Sequence, residues 1–172
     1  MAYLQELPAE KIFDVLILDF PDVADSKALE KLYSPSFYRL CRQHMHEKSI
    51  LAVQTGPCTH MTRAGYRASC NMLEHLILPN IMKVFQEADV LLHPMATWKV
   101  ERSISSEWSS FTIARLNSEP LDFSADVWTK HVDGDLRYYT GARHEAALHH
   151  PRPMVNRLLQ LRGKAPLPWS PT

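Results

Sequence analysis

Two carboxylates near the start of the chain, Asp19 and Asp22, are of a residue type and at a spacing that suit acid–base chemistry. Asp19 lies near the end of a largely apolar run, residues 13–20, and Asp22 follows three residues later, beyond Pro21. A carboxylate at the rim of an apolar strand is costly to desolvate unless a cation or a hydrogen-bond donor meets it. Such a pair attracts an amine, and one member can accept the amine's proton and expose the nitrogen lone pair for attack. The alternative, which spacing alone favours, is that Asp22 caps a turn and Asp19 accepts hydrogen bonds from nearby backbone amides.

Histidines and cysteines raise two other possibilities, a metal site and a thiol nucleophile, and the pattern favours neither. The nine histidines form no H-E-x-x-H motif, and His44 and His46 are two apart on a predicted helix, so they point to different faces. Cys41, Cys58 and Cys70 show neither zinc-motif spacing nor an even disulfide framework. We therefore expect no metal site, and a protein of the reducing cytoplasm.

The elements that position Asp19 and Asp22 alternate between strand and helix patterns. Unbroken apolar runs predict buried strands, and helical spacing predicts the helices between them. This order is typical of an α/β fold with an open, mostly parallel sheet flanked by helices. Ligands of such sheets lie beyond the carboxyl ends of the strands, where Asp19, Asp22 and Gln54 fall. The predicted strands cover 13–20, 49–54, 89–93 and 110–116, and the predicted helices cover about 36–46, 67–88, 140–149 and 152–162.

Composition excludes several classes of protein. The 172 residues are 45% hydrophobic, and 19 basic side chains balance 19 acidic ones, which excludes a strongly basic nucleic-acid binder. No stretch reaches the roughly 18 apolar residues that a membrane span needs. The five glycines are never closer than seven residues, so the chain contains no glycine-rich phosphate-binding loop. We expect neither nucleic acid nor a membrane as a partner.

Several segments together resemble the spermidine synthase family of polyamine aminopropyltransferases. The order is that of the family's second half: a strand ending in D-x-x-D, a helix begun near an L-Y-S stretch, and a strand ending in Gln. The segments are Phe13 to Asp22, Leu32-Tyr33-Ser34, Phe37-Tyr38, Leu51 to Gly56, Trp108 to Ala114, and Leu136-Arg137-Tyr138-Tyr139 through His144.

This resemblance implies a function and a role for each site residue. The family has a Rossmann-like fold of the S-adenosylmethionine-dependent type and transfers an aminopropyl group from decarboxylated S-adenosylmethionine to a diamine such as putrescine. The resemblance makes Asp19 the catalytic proton acceptor, with Asp22 and Gln54 binding the substrate amine. It places Ala2 and Asp19 at the donor, which is a co-substrate and not a tightly bound cofactor.

Departures from the family pattern qualify this expectation. The family's glycine-rich loop lies upstream of the residues that match, Val23 replaces a proline, and Ile104 stands where a tyrosine is expected. We therefore expect a partial domain over 1–162 with a proline-rich tail at 163–172. We also expect it to be inactive alone, with a second copy or a partner chain covering the exposed edge of the sheet. The alternatives are a non-catalytic homologue that acts as a partner or regulatory subunit, and a related S-adenosylmethionine-dependent methyltransferase.

Overall fold

The computed structural model describes residues 2–20, 27–57, 76–94, 108–119, 124–131, 139–150 and 152–167. The chain divides into two compact units, Met1–Pro120 and Leu121–Thr172. The predicted domain over 1–162 spans both units, and whether it folds as one domain stays a prediction. Asp22, Val23 and Ile104 lie outside the described residues.

The elements follow in the predicted order. The described part of the first unit contains four strands and four helical elements, and the described part of the second unit contains three helices. The elements are α1 (Ala2–Glu6), β1 (Phe13–Leu18), a 3-10 helix (Lys27–Tyr33), α2 (Pro35–Gln43), β2 (Met45–Pro57), α3 (Leu78–Met82), β3 (Glu87–Pro94), β4 (Trp108–Arg115), α4 (Ala125–His131), α5 (Gly141–Ala146) and α6 (Arg152–Leu161).

Four strands form one sheet in the order β1-β2-β4-β3. β1 pairs with β2 in parallel, and β4 is antiparallel to both β2 and β3. β1, β2 and β3 therefore run in the same direction, as an open and mostly parallel sheet requires, and β4 is inserted against them. The α/β fold class is confirmed, with a sheet that is mixed because of β4.

One face of the sheet is covered by helices. Leu51 and Val53 of β2 and Ala114 of β4 are fully buried, and α2 packs against β2 while α3 packs against β3. Helix α2 begins where the sequence predicts, because the Ser34 hydroxyl accepts a hydrogen bond from the Phe37 amide at 3.3 Å and Pro35 occupies the first turn. It ends at Gln43, so His46, predicted on this helix, lies in β2 instead.

Strand β1 is the edge of the sheet in the described part of the chain. It pairs with β2 alone there, and its Val15 and Ile17 side chains are 53% and 72% exposed, so the prediction of a buried strand over 13–20 is wrong for one face of β1. Alternate residues of a strand point to one face, so these two share a face that the fold leaves open at β1. An apolar strand with an open edge is a site for pairing with a further strand.

The predicted helix over 67–88 is wrong in its C-terminal part. Residues 67–75 lie outside the described range, and the helix that is seen, α3, ends at Met82. Pro79 is the second residue of α3, and residues 76–77 before it are already helical, with Ile77 at φ −72° and ψ −59°. The chain then turns at Val84 and Phe85, both buried, and enters β3 at Glu87. The prediction failed because apolar residues in the turn and in β3 have the same spacing as the apolar face of a longer helix.

The second unit has two helices at the predicted positions. The Thr140 hydroxyl caps α5 by accepting a hydrogen bond from the Arg143 amide at 3.3 Å. Gly141 packs closely on Ala125, because a Cβ at position 141 would lie 3.1 Å from the Ala125 Cβ. After α6, Gly163 adopts a left-handed conformation with φ of 68°, which ends the helix. The Leu167 amide then donates to Asn156 Oδ1 at 2.8 Å, so the start of the proline-rich tail is held to α6.

Candidate functional site

Asp19 is the first residue beyond β1, at the carboxyl end of the strand, and it is exposed. Leu18 pairs with Val53 in the parallel register of β1 and β2. The residues that follow this pair, Asp19 and Gln54, therefore occupy adjacent positions toward the carboxyl ends of β1 and β2. The structure thus brings together the predicted catalytic residue, Asp19, and one of the two residues predicted to bind the substrate, Gln54.

Aromatic packing holds the chain immediately after Asp19. The Phe20 ring lies 5.9 Å from the ring of Tyr33, edge to face, and 5.9 Å from the ring of Phe37. Tyr33 and Phe37 are buried, so Phe20 anchors the end of β1 in the cluster that α2 and the 3-10 helix form. Asp19 is thereby held between a paired strand and a buried aromatic contact.

Gln54 lies near the end of β2, opposite Phe111 of β4, and is half-buried. Its neighbours Val53 and Thr55 are buried on the face covered by helices, so Gln54 belongs to the other face of the sheet. A primary amide that is partly accessible at this edge can accept a hydrogen bond from an ammonium group.

A cluster of three buried hydroxyls adjoins Gln54, and sequence reasoning missed it. Thr55 Oγ1 lies 2.8 Å from Ser110 Oγ, and the Thr112 hydroxyl donates to Thr55 Oγ1 at 3.4 Å. All three side chains are at most 1% exposed. The signal was present, because Ser110 and Thr112 alternate along an apolar strand, but only the pairing of β2 with β4 places Thr55 beside them.

Ala2 lies in α1 and is exposed. His44, at the end of α2, has its Nε2 3.0 Å from the Leu4 carbonyl oxygen, and its own carbonyl accepts from the Phe13 amide at 2.9 Å. Leu4 is therefore tied to the amino ends of β1 and β2, whereas Asp19 lies beyond the carboxyl end of β1. A donor contact that combines Ala2 and Asp19 stays a prediction.

The described side chains offer no metal cluster, since no three potential ligands converge among them. His46 Nε2 lies 2.9 Å from Asp14 Oδ1 at the opposite end of β1 from Asp19, an exposed pair. Cys41 is fully buried in α2, and burial raises the pKa of its thiol to about 12. A thiol with that pKa stays protonated at neutral pH and is a poor nucleophile. Cys58 and Cys70 lie outside the described residues.

The arrangement can bind and deprotonate an amine. An exposed carboxylate on an anchored strand end attracts an ammonium group, and a neighbouring amide can accept a second of its hydrogens. A carboxylate that faces a bound amine can also accept its proton as the nitrogen becomes a nucleophile.

No described helix is long and apolar enough to cross a membrane.

Comparison with known proteins gives a sequence similarity and a structural one. In sequence, 54 residues, or 31% of this chain, are 37% identical to a polyamine aminopropyltransferase of Leptospira interrogans serogroup Icterohaemorrhagiae serovar copenhageni (strain Fiocruz L1-130). In structure, 91% of the chain matches a spermidine synthase from Thermotoga maritima with a TM-score of 0.62 and 23% identity. It also matches a spermidine synthase in complex with the transition state analogue AdoDATO, with a TM-score of 0.61 and 23% identity over 91% of the chain.

These matches confirm the resemblance to the spermidine synthase family and the Rossmann-like fold. They cover only part of the length of the similar proteins. The chain spans 46% of each solved spermidine synthase, and the sequence match spans 11% of the Leptospira protein. No model of a protein family matches the chain. The protein is therefore similar to the aminopropyltransferases and has part of the Rossmann-like fold of spermidine synthase.

Proposed function

We propose that this chain is an aminopropyltransferase-like protein that binds a putrescine-like diamine at the carboxyl ends of β1 and β2. The observation that carries the proposal is the adjacency of Asp19 and Gln54, which the Leu18–Val53 pair imposes on a spermidine synthase-like sheet. Asp22, three residues beyond Asp19, would add a second carboxylate for the substrate amine.

The proposed reaction moves an aminopropyl group from a sulfonium donor to the amine. Asp19 accepts a proton from the ammonium group, so that the nitrogen lone pair becomes available. The nitrogen then attacks the terminal propyl carbon bonded to sulfur, the new C–N bond forms, and the C–S bond breaks with its electron pair going to sulfur. The products are a neutral thioether and an aminopropylated amine. Gln54 holds the amine in line during attack.

The donor of this reaction is decarboxylated S-adenosylmethionine, a co-substrate. Support comes from the similar spermidine synthase that is solved with AdoDATO. Ala2 and Asp19 are the proposed donor contacts of this chain. Its 172 residues contain no glycine-rich loop that could bind the donor tightly, and we propose that the donor pocket is incomplete in the chain alone.

The open edge of β1 is the proposed place for a second copy of the chain or a partner chain. Val15 and Ile17 are exposed on the open face of β1. A further strand that paired with β1 would extend the sheet next to the strand that Asp19 follows. We place the protein in the cytoplasm, since its three cysteines form no even disulfide framework.

Titration of putrescine into the full chain tests the amine site. Asp19→Asn keeps the side-chain shape and removes the charge, so we expect binding at least about tenfold weaker, because a hydrogen bond to a charged group contributes about 1.5–3 kcal/mol. Asp14→Asn is the matched control: it removes the same charge from the same strand, at a side chain that is 93% exposed and bound to His46. Equal affinity of the wild-type and Asp19→Asn chains contradicts the amine site.

One further titration and two activity assays separate the alternatives. Micromolar binding of decarboxylated S-adenosylmethionine by the chain alone contradicts the incomplete donor pocket. In a second experiment the chain is mixed with a full-length aminopropyltransferase and that enzyme's rate is measured. If the wild-type chain and the Asp19→Asn chain change the rate equally, the chain is a non-catalytic partner. Labelled S-adenosylmethionine that yields a methylated amine assigns methyl transfer instead.

A further inference from the structure

The pairing of β2 with β4 contains an irregularity at the residue after Gln54. Gln54 pairs with Phe111 and Gly56 pairs with Ser110, so β2 advances two residues while β4 advances one. Thr55 is the extra residue, a β-bulge. Bulges bend a strand, re-aim neighbouring side chains and occur often beside active sites.

The Thr55 hydroxyl is bonded within this bulge. Its Oγ1 lies 2.8 Å from Ser110 Oγ, the residue that the bulge displaces in register, and accepts from Thr112 at 3.4 Å. Burying a hydroxyl without a partner costs free energy, and an apolar side chain at these positions would avoid that cost. The helices α2 and α3 cover this face, and all three hydroxyls are removed from solvent. The hydrogen bonds make one register of β2 on β4 favourable over a slipped one.

We propose that the Thr55–Ser110 hydroxyl pair is a positioning device that fixes the bulge and thereby places the Gln54 amide beside Asp19. The inference rests on the proposed function, because Gln54 is placed there for the substrate amine. Gln54 is next to Thr55 in the chain and lies on the opposite face of the strand, so a slip of the bulge by one residue turns Gln54 toward the covered face.

The test compares two substitutions of buried threonines to valine, which has the same shape. Thr55→Val removes the hydroxyl in the bulge. Thr112→Val is the matched control, because Thr112 is equally buried on the same face and pairs regularly with Val53, and the loss of its hydroxyl removes only the longer 3.4 Å bond to Thr55 and leaves the Thr55–Ser110 contact in place. Thr55→Ser keeps the hydroxyl and should behave as the wild type. We expect Thr55→Val to weaken putrescine binding about tenfold, because a displaced Gln54 amide loses its hydrogen bond to the charged amine, and Thr112→Val to leave it unchanged.

A second readout does not depend on amine binding. The NMR signals of the Gln54 side-chain amide report its surroundings, and urea unfolding of each variant reports stability. We expect the chemical shifts of the Gln54 amide to change in Thr55→Val and to stay unchanged in Thr112→Val. We expect the two variants to lose similar amounts of unfolding free energy. If the signals move equally in both variants, or in neither, the positioning role is wrong. A wild-type chain that binds no putrescine contradicts the proposed function, and the Gln54 signals then decide the positioning role alone.

Discussion

The imidazole of His44 contacts two carbonyl oxygens at once, Nε2 to Leu4 at 3.0 Å and Nδ1 to Lys11 at 2.9 Å. A carbonyl oxygen only accepts, so a ring N–H is the donor in each hydrogen bond that forms. His44 is 3% exposed, and it joins α1 and the segment before β1 to the start of β2.

His44→Phe removes both contacts while filling most of the same volume. We expect it to lower the free energy of unfolding by about 1–3 kcal/mol, since the buried contact with the Leu4 carbonyl and the part-buried contact with the Lys11 carbonyl are lost. Urea unfolding measures this loss, and limited proteolysis at residues 7–12 measures the release of α1. The control is His46→Phe, whose exposed pair with Asp14 contributes about 0–1 kcal/mol. Equal losses in the two variants contradict the role of His44.

Tyr38 is fully buried, and its hydroxyl has no hydrogen-bond partner in the described part of the chain. Burial raises the pKa of this phenol above its ordinary value of 10.0. Tyr38→Phe removes an unsatisfied polar atom, so we expect the free energy of unfolding to stay the same or to rise by about 1 kcal/mol. A loss of more than about 1 kcal/mol in urea unfolding would show that the hydroxyl is bonded in the native protein.

Cys41 should resist alkylation in the native protein. Burial raises the pKa of its thiol to about 12, so the thiolate is rare at pH 8 and the side chain is shielded as well. In a Cys58→Ser, Cys70→Ser background, we expect iodoacetamide to modify Cys41 in urea and to leave it unmodified in buffer. Mass spectrometry counts the label. Rapid labelling in buffer would refute the burial of this helix face.

His144 makes the protein less stable in acid. Burial lowers the pKa of His144 below its ordinary value of 6.5, and its Nδ1 lies 3.3 Å from the Tyr139 hydroxyl. The unfolded chain therefore binds a proton at a higher pH than the folded chain. The free energy of unfolding is highest above pH 6.5 and falls as the pH drops through the unfolded and then the folded pKa.

His144→Gln should remove this part of the pH dependence, and Tyr139→Phe should retain it because the ring still titrates. Urea unfolding between pH 5 and pH 8 measures the slope for each chain. An unchanged slope in His144→Gln means that another group is responsible.

Ile17 should promote self-association through the edge of β1. It is 72% exposed on a strand that has one described neighbour, so a charged residue there should oppose edge pairing. We expect Ile17→Lys to shift the sedimentation of the chain toward monomer. Ile12→Lys is the control, because Ile12 is also exposed, at 41%, but precedes the strand. A wild-type chain that sediments as a monomer at high concentration counts against edge pairing.

Local chemistry made several elements predictable. The apolar run ending in Asp19 forms strand β1 as predicted, although Val15 and Ile17 stay exposed, and Ser34 followed by Pro35 starts helix α2. The helix over 67–88 failed at its end, because the apolar residues Val84 and Phe85 of a buried turn have the same composition as a helical stripe.

The sequence by itself determined the chemical types present at the candidate site: a carboxylate at the end of one strand, an amide near the end of another, which runs on to Pro57, and no glycine-rich loop. Only the tertiary structure decided which of them meet. Asp19 and Gln54 are 35 positions apart in the sequence, and the parallel register of β1 on β2 makes them neighbours. The bulge at Thr55 depends in the same way on β4, since hydrogen bonds between strands distant in the chain set register, and no local pattern encodes them.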